Sequence, residues 1–258
     1  MALWALSDLH LAHGLDKPMD VFGPAWAGHV ERMAANWDSS VAADDTVIIG
    51  GDISWAMKPE EAIADLAWIH ARPGRKVLLK GNHDYWWPST ARFGRLLAEQ
   101  GFDTIDFLFN SALACPEAIL CGSRGWLQPG DDGETAADAA IRSKECGRLR
   151  LSLEQAEKLR QTHPDLPLVA VMHFPPFRAN AESSCFTEIL AAAGIRLCLY
   201  GHLHGLAGRR IPQADVDGIR CLLTASDYLG FAPIRIDPGC ATLTRTIPAS
   251  LSGGSDAP

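Results

Sequence analysis

Carboxylate, amide and imidazole side chains recur at five places in this chain, each directly after a short apolar run. The motifs are Asp8-Leu9-His10, Gly51-Asp52, Gly81-Asn82-His83-Asp84, Met172-His173 and Gly201-His202-Leu203-His204. Five of the nine histidines lie in these motifs, and no cysteine does. This donor set favours a two-metal hydrolytic centre over a structural zinc site closed by thiolates.

The apolar runs before the motifs predict the β-strands that position them. These runs are Ala2–Leu6, Thr46–Ile49, Lys76–Leu79, Leu168–Val171 and Arg196–Leu199. Amphipathic patterns between them predict helices over Trp26–Val41, Glu60–Ala71, Thr90–Gln100, Leu149–Thr162 and Glu182–Ala193. Ligands of an open α/β sheet bind beyond the carboxyl ends of its strands, so we expect the motifs to meet on one rim.

The last part of the chain has a different pattern, which completes the predicted architecture. Short strands are expected at Arg220–Leu223, Ile234–Ile236 and Ala241–Thr246, without long helices. We therefore expect two sheets packed face to face with helices on the outside, which is a four-layer α/β/β/α sandwich. We expect one domain over residues 1–248 and a flexible tail over 249–258. Gly122–Ala140 reads as a long irregular insertion near the rim, and the sequence leaves open whether it closes over the site.

Composition restricts the class of protein and of partner. The chain has 258 residues with 47% hydrophobic and 21% charged residues, which is typical of a globular domain. No apolar stretch approaches the roughly 18 residues of a membrane span, so no membrane partner is expected. A net charge of −8 disfavours nucleic acid as a partner. Met1 leads into a strand pattern without a secretory signal, and the seven cysteines lack CxxC spacing, which predicts a cytoplasmic protein with free thiols.

The motifs D-x-H, G-D, G-N-H-D, H and G-H-x-H occur here in that order, and on them the chain resembles the calcineurin-like metallophosphoesterase superfamily. The resemblance covers residues 8–204. It implies two divalent metal ions, with manganese favoured and iron or zinc as alternatives. The implied ligands are Asp8, His10 and His204 for one ion and Asn82, His173 and His202 for the other, with Asp52 as the bridge.

The same resemblance implies roles in catalysis. A hydroxide between the ions would attack phosphorus, and His83 would stabilise the phosphoryl oxygens or protonate the leaving oxygen. Asp84 would orient His83 through a hydrogen bond, although a turn-capping role for Asp84 is an equal alternative.

Departures from the family patterns narrow the expected substrate. No arginine closely follows Gly51-Asp52, and the third motif ends in Asp84 instead of glutamate, which disfavours a protein Ser/Thr phosphatase. The segment from His173 to Pro176 resembles the H-x-P-P segment of cyclic-nucleotide-type phosphodiesterases. The opening Ser7–Leu11 is similar to lipid-A-type pyrophosphohydrolases, but His83 stands where they usually carry arginine.

Arginine and aromatic residues near the motifs are candidates for binding the substrate. Arg124 and Arg178 could bind phosphoryl oxygens with their guanidinium groups, and Trp126 could form an aromatic wall. Core packing is the alternative for these aromatics, including Tyr85-Trp86-Trp87.

The sequence as a whole therefore predicts hydrolysis of a small phosphorylated molecule, with a phosphodiester slightly preferred over a monoester. No protein partner is evident. A non-catalytic scaffold of the same fold and a nuclease are the two alternatives. The presence of every candidate metal ligand argues against the scaffold, because a scaffold does not require them. The negative net charge of the chain argues against the nuclease.

Overall fold

The computed structural model describes residues 1–17, 19–205, 213–239 and 242–244, with the side chains of Phe22 and of 242–244 left aside. The predicted tail over 249–258 lies outside these residues. The division into one domain and a tail therefore stays a prediction.

The first of two sheets holds the amino-terminal motifs. Its strands are β1 (Leu3–Leu6), β2 (Thr46–Ile49), β3 (Arg75–Leu79), β4 (Ile105–Leu108), β11 (Ile234–Asp237) and β12 (Thr242–Thr244). Their order is β12-β11-β1-β2-β3-β4, and β1 to β4 run parallel while β11 and β12 are antiparallel to their neighbours. The parallel strands put the ends of β1, β2 and β3 at one edge.

The second sheet holds the remaining motifs. Its strands are β5 (Leu113–Ala114), β6 (Ile119–Ser123), β7 (Leu168–Met172), β8 (Leu197–Tyr200), β9 (Gln213–Val216) and β10 (Ile219–Leu223). Their order is β5-β6-β7-β8-β10-β9, with β6, β7, β8 and β10 parallel and the two edge strands antiparallel. Seven predicted strands in the central parts of the sheets are confirmed, and the eighth, predicted over Ala241–Thr246, is observed as the edge strand β12. Strands β4, β5 and β9 were not predicted.

Within the described residues, five α-helices flank the sheets, which confirms the predicted sandwich of two mixed sheets. They are α1 (His29–Ser40), α2 (Ile63–His70), α3 (Thr90–Gln100), α4 (Asp138–Thr162) and α5 (Cys185–Ala192). None of the helices in the described ranges has the length and apolar content needed to span a bilayer.

The predicted insertion over Gly122–Ala140 is wrong at both ends. Strand β6 continues through Ser123, and α4 begins at Asp138. The Asp138 carboxylate accepts hydrogen bonds from the backbone and side chain of Thr135, at 2.7 and 2.6 Å. The first turns of α4 are rich in polar residues, so apolar periodicity could not reveal them. Only residues 124–137 are irregular.

Successive side chains of the buried strands point to opposite faces of the second sheet and build an apolar core on each face. Val169 and Val171 of β7 belong to the cluster between the two sheets, whereas Ala170 and Met172 belong to the cluster under α4 and α5. Successive strand side chains point to opposite faces, so β7 is apolar throughout. The strand ends are thus fixed from both sides, and the loops after them start from rigid positions.

Candidate metal centre

Backbone hydrogen bonds lock the loops after the strands into one rim. The Asp8 amide donates to the Gly51 carbonyl at 2.8 Å, and the His10 amide donates to the Asp52 carbonyl at 3.0 Å. In the second sheet, the Gly201 amide donates to the His173 carbonyl at 3.0 Å. Each loop that carries a motif is therefore held by the loop of a neighbouring strand.

A first group of donor atoms consists of Asp8, His10 and His204, whose ligand atoms lie within 4.8 Å of one another. The Nε2 atoms of His10 and His204 are 3.2 Å apart. His204 Nε2 is also 3.3 Å from Asp8 Oδ1. Asp8 and His10 are buried, and the His204 side chain is 31% exposed, so this group opens to solvent on one side.

A second group consists of Asp52, His173 and His202, again with ligand atoms within 4.8 Å. Asn82 belongs to it, because its Oδ1 lies 2.7 Å from His173 Nε2 and 3.0 Å from His202 Nδ1. Asp52 Oδ2 is 3.4 Å from His173 Nε2 and 4.0 Å from Nε2 of His10 in the first group. The Asp52 carboxylate therefore lies between the two groups.

The electrostatics of the two groups fit divalent cations. Burial lowers the pKa of His10 and of His202 to about 3, so both imidazoles present neutral lone pairs. Burial also opposes protonation of His173 and His204, but attraction to Asp52 and to Asp8 respectively raises their pKa to about 9 and about 10. The site attracts positive charge strongly, and its carboxylate, amide and imidazole donors are those that first-row divalent ions accept.

The backbone is strained where it carries these ligands. Asp8, His10, Asp52 and His202 have φ of 61°, 47°, 51° and 70°, in the left-handed region that side chains other than glycine rarely adopt. Gly81 packs so closely that a Cβ there would overlap the backbone and side chain of Asp52. Such strain concentrates at functional sites because the surrounding structure stabilises it.

Further contacts orient the imidazole rings. His173 Nδ1 is 3.1 Å from the Gly50 carbonyl, and His204 Nδ1 is 3.1 Å from Asp227 Oδ1. Each contact fixes the tautomer that leaves Nε2 facing its group of donors. Asp227 was not predicted as a site residue from the sequence. The only signal for it was an aspartate shortly after β10, a strand parallel to those that carry motifs.

His83 faces the two groups. Its side chain is 37% exposed, and its Nε2 is 4.0 Å from Asp52 Oδ2. The ring of Trp55 lies 4.5 Å from the His83 ring and stacks on His10 at 4.8 Å between centroids. The Lys17 ammonium lies 3.5 Å from the centre of the Trp55 ring. Lys17 was not predicted from the sequence, because no motif surrounds it.

The structure gives Asp84 a different role from the orienting role that the resemblance implied. Its buried carboxylate accepts hydrogen bonds from the amides of Gly81, Ile53 and Ser54 and from the indole of Trp86, at 2.7 to 3.2 Å. In the part of the chain that the structure describes, it makes no hydrogen bond to His83. Burial raises the pKa of Asp84 to about 6. Asp84 therefore holds two loops together, as the turn-capping alternative proposed.

The three candidate substrate-binding residues do not converge on the donor groups. Arg124 Nη2 pairs with Glu145 Oε1 at 3.0 Å, and the Arg124 guanidinium lies 4.3 Å from the Trp126 ring centre. Trp126 reaches the site indirectly, because it packs on Phe174 at 5.1 Å and Phe174 packs on His202 at 4.0 Å between centroids.

Arg178 is exposed, and its side chain makes no hydrogen bond or ion pair within the described ranges. The aromatic triplet divides as its two interpretations suggested, since Tyr85 is 62% exposed whereas Trp86 and Trp87 are buried against Phe93.

Comparison with known proteins adds a family and a fold. The family described as calcineurin-like phosphoesterase matches residues 1–206. The Gene 66 protein of Mycobacterium phage L5 is 43% identical over 81 residues, which are 31% of this chain and 39% of the phage protein. The Gene 66 protein of Mycobacterium phage D29 is 41% identical over 83 residues, 32% of this chain and 40% of that protein. The chain thus spans about two fifths of the length of these relatives.

Among solved structures, the protein TT1561 of Thermus thermophilus is similar with a TM-score of 0.57 and 11% identity. The similarity covers 94% of this chain and 96% of TT1561. At this identity the likeness concerns the fold alone, and it agrees with the two-sheet sandwich.

Proposed function

We propose that this chain, which belongs to the calcineurin-like phosphoesterase family, is a dinuclear-metal-dependent phosphoesterase that hydrolyses a phosphodiester, or a phosphomonoester, of a small molecule. The observation that carries the proposal is the position of Asp52. Its carboxylate lies between two groups of donor atoms, within 4.0 Å of an imidazole of each. A bridging carboxylate is what a pair of ions at one phosphoryl group requires.

Each group of residues would hold one ion. Asp8, His10 and His204 would hold the first, Asn82, His173 and His202 would hold the second, and Asp52, which lies between the two groups, would contribute to both. Manganese is favoured, with iron or zinc as alternatives, because the set mixes hard oxygen and borderline nitrogen donors. When bound, the ions supply positive charge for the phosphoryl oxygens and lower the pKa of a water.

His83 is the side chain placed to act on the substrate directly. Its Nε2 faces the bridging carboxylate Asp52 from the more exposed side of the site. From there it can donate a hydrogen bond to a phosphoryl oxygen or a proton to the leaving oxygen. A general acid of this kind typically contributes about 10²–10⁴ in rate.

The charge around the site favours a diester over a monoester. A monoester dianion needs more positive compensation than a diester monoanion. Arg124 is engaged by Glu145, and Lys17 is the cation next to Trp55 and His83. The half-buried ring of Trp55, which stacks on His10, suits a small molecule with an apolar or aromatic group.

Metal content and hydrolysis of two chromogenic esters test the proposal. Bis(p-nitrophenyl) phosphate reports diesterase activity and p-nitrophenyl phosphate reports monoesterase activity, with Mn²⁺ added and after chelation. The variants are Asp52→Asn and His83→Ala. The matched controls are Asp103→Asn, whose side chain is 88% exposed, and His163→Ala, an exposed residue after α4.

We expect about two metal ions per chain and turnover that chelation abolishes. Asp52→Asn should lose metal and activity together, whereas His83→Ala should keep its metal and lose about 10²–10⁴ in rate. Both controls should behave like the wild type. Bound metal without turnover of either ester in the wild type would favour the scaffold alternative, and unchanged activity of Asp52→Asn would refute the proposed site.

A further inference from the structure

A cavity lies beside the candidate metal centre, lined by the ends of β3, β4 and β6 and by helix α4. Its volume is about 100 Å³, and its apolar wall comes from the ends of β3 and β4, with Leu79 and Leu108. It lies at the same rim as the donor groups, because Lys80 in its lining directly precedes Gly81 and Asn82. The carbonyl of Arg124, also in the lining, accepts hydrogen bonds from the His173 and Phe174 amides at 3.1 and 2.9 Å.

The polar lining of this cavity is mostly positive. Lys80, Arg124 and Arg148 contribute three cationic groups, and Glu145 contributes one carboxylate. Glu145 Oε1 accepts from Arg124 Nη2 at 3.0 Å and from Arg148 Nη1 at 2.7 Å, so it holds the two guanidinium groups side by side. The charge that remains is about two positive units, in a chain whose net charge is −8.

Several polar atoms around the cavity have no partner. The Ser123 hydroxyl, Arg124 Nε and Glu145 Oε2 are buried without a hydrogen bond. The residues Ser123 and Glu145 are only 4% and 1% exposed. Within the described residues the Lys80 ammonium also makes no hydrogen bond or ion pair. Leaving buried polar groups unpaired is costly, which indicates that they bind a group from outside the protein.

Charge and size together define that group. Unused donors on a hydroxyl, an ammonium and a guanidinium recognise oxygen acceptors, and guanidinium groups fit carboxylate and phosphate in particular. A water occupies about 30 Å³ in the liquid, so the cavity has room for a small oxyanion and not for a large organic molecule. The unpaired oxygen of Glu145 suits an oxyanion that keeps a proton.

We propose that this cavity binds an oxyanion, a phosphate or carboxylate group separate from the phosphoryl group cleaved at the metal centre. The anion could be free in solution or be a second acidic group of the substrate. Binding itself does not depend on hydrolysis, whereas the second source rests on the proposed function. Arg124 thereby has a role in anion binding at this cavity, instead of at the metal centre where the sequence suggested it.

Calorimetric titration of the metal-loaded protein with inorganic phosphate tests the proposal. We expect two binding steps, one at the metal centre that chelation removes and one at the cavity that chelation leaves. Arg148→Gln should weaken the second step by at least about tenfold, since a charge-assisted hydrogen bond is lost. Arg150→Gln is the matched control, because Arg150 is exposed on the same helix and does not line the cavity.

Ser123→Ala provides a variant that should fold without difficulty, because the hydroxyl it removes has no partner. It should weaken the cavity step several-fold while leaving the melting temperature unchanged or raised. A single step that chelation abolishes, with Arg148→Gln equal to Arg150→Gln, would overturn the cavity proposal. A cavity step without a metal-dependent step would support it and count against the proposed function instead.

Kinetics distinguish the two sources of the anion. If the anion belongs to the substrate, Arg148→Gln should raise KM for a p-nitrophenyl diester that carries a carboxylate by a larger factor than KM for bis(p-nitrophenyl) phosphate, and Arg150→Gln should show no such difference. If the anion is free, added phosphate should alter hydrolysis of the plain diester in the wild type and not in Arg148→Gln. Either pattern supports the cavity, and phosphate that acts identically on both proteins speaks against it.

Discussion

Replacing Asp227 by asparagine should weaken metal binding to Asp8, His10 and His204 without removing a ligand. Asp227 Oδ1 lies 3.1 Å from His204 Nδ1, and its Oδ2 accepts from the Gly205 amide at 3.0 Å. An asparagine can satisfy only one of these two donors with its single oxygen. The asparagine amide would therefore either point an N–H at His204 Nδ1 or lose the hydrogen bond from the Gly205 amide, which frees the loop after His204.

The size of the effect follows from this contact. Loss of a group that orients a ligand histidine typically costs about 10–100-fold in metal affinity, or about 1.4–2.7 kcal/mol. The loss should be confined to one of the two ions, because Asp227 contacts no residue of the other group within the described ranges. Metal-free protein offers a second measurement, since removing an anion beside His204 should lower the pKa of that imidazole from about 10.

Competition with a chelating dye would measure both metal affinities, and titration followed by NMR would measure the pKa of His204. Asp103→Asn is the control for a change of charge, since its side chain is 88% exposed. If Asp227→Asn bound both ions as tightly as Asp103→Asn does, with equal melting temperatures, the orientation of His204 would not depend on Asp227.

Three other changes have defined outcomes. Gly81→Ala should reduce metal content and activity, because its Cβ would overlap the bridging carboxylate; Gly94→Ala, with open space in α3, should raise stability by about 0.5–1 kcal/mol. Lys76 is buried, which lowers the pKa of its ammonium to about 8. The free energy of unfolding of Lys76→Met should therefore exceed that of the wild type at pH 7, and the difference should shrink by about 2 kcal/mol at pH 10. Denaturant titrations at the two pH values would measure it. Cys146 and Cys185 have sulfurs 3.0 Å apart, and oxidised glutathione should link them through exchange, which mass spectrometry would detect with a melting temperature raised by about 8 °C or more.

The sign for Lys76 follows from proton linkage. Between the folded pKa of about 8 and the ordinary value of 10.5, the unfolded chain binds more protons than the folded one. Stability from this group therefore rises with pH over that window and is lowest below it. The Lys76 ammonium donates hydrogen bonds to the carbonyls of His70, at the end of α2, and of Arg72, just after it. If the stability of wild type and of Lys76→Met depended on pH in the same way, the ammonium would be well solvated despite these contacts.

The parts of the fold that sequence predicted share one property: their pattern follows from burial alone. Strands β2 and β7 are buried on both faces and read as apolar runs, and α3 has an amphipathic pattern that ends at Gly101 in the left-handed conformation. The missed strands β4, β5 and β9 all lie at sheet edges. Strand β5 is two residues long, and β4 and β9 each have two residues that are not buried. Pairing with a neighbour forms such strands, and a pairing partner is not visible in a local pattern.

The candidate site divides in the same way. Asp8, His10 and the other candidate ligands could be predicted because each follows a strand within a few residues, so one rule selects them all. Asp227 and Lys17 reach the site through the order of strands and the path of a long loop. Strands β8 and β10 are spatial neighbours, which places Asp227 beside His204 although 23 positions separate them. Nothing in the local sequence at either position records that adjacency.

Asp84 shows why residue type and spacing cannot assign a role even inside a motif. The Ile53 and Ser54 amides and the Trp86 indole donate to Asp84 Oδ1, and the Gly81 amide donates to Oδ2. None of the hydrogen bonds of Asp84 within the described residues reaches His83. The backbone positions His83 instead, because the His83 amide donates to Asp52 Oδ1 at 2.8 Å. The Asp52 carboxylate thus lies between the two groups of donor atoms and also positions His83, so changing Asp52 should disturb His83 even where metal is retained.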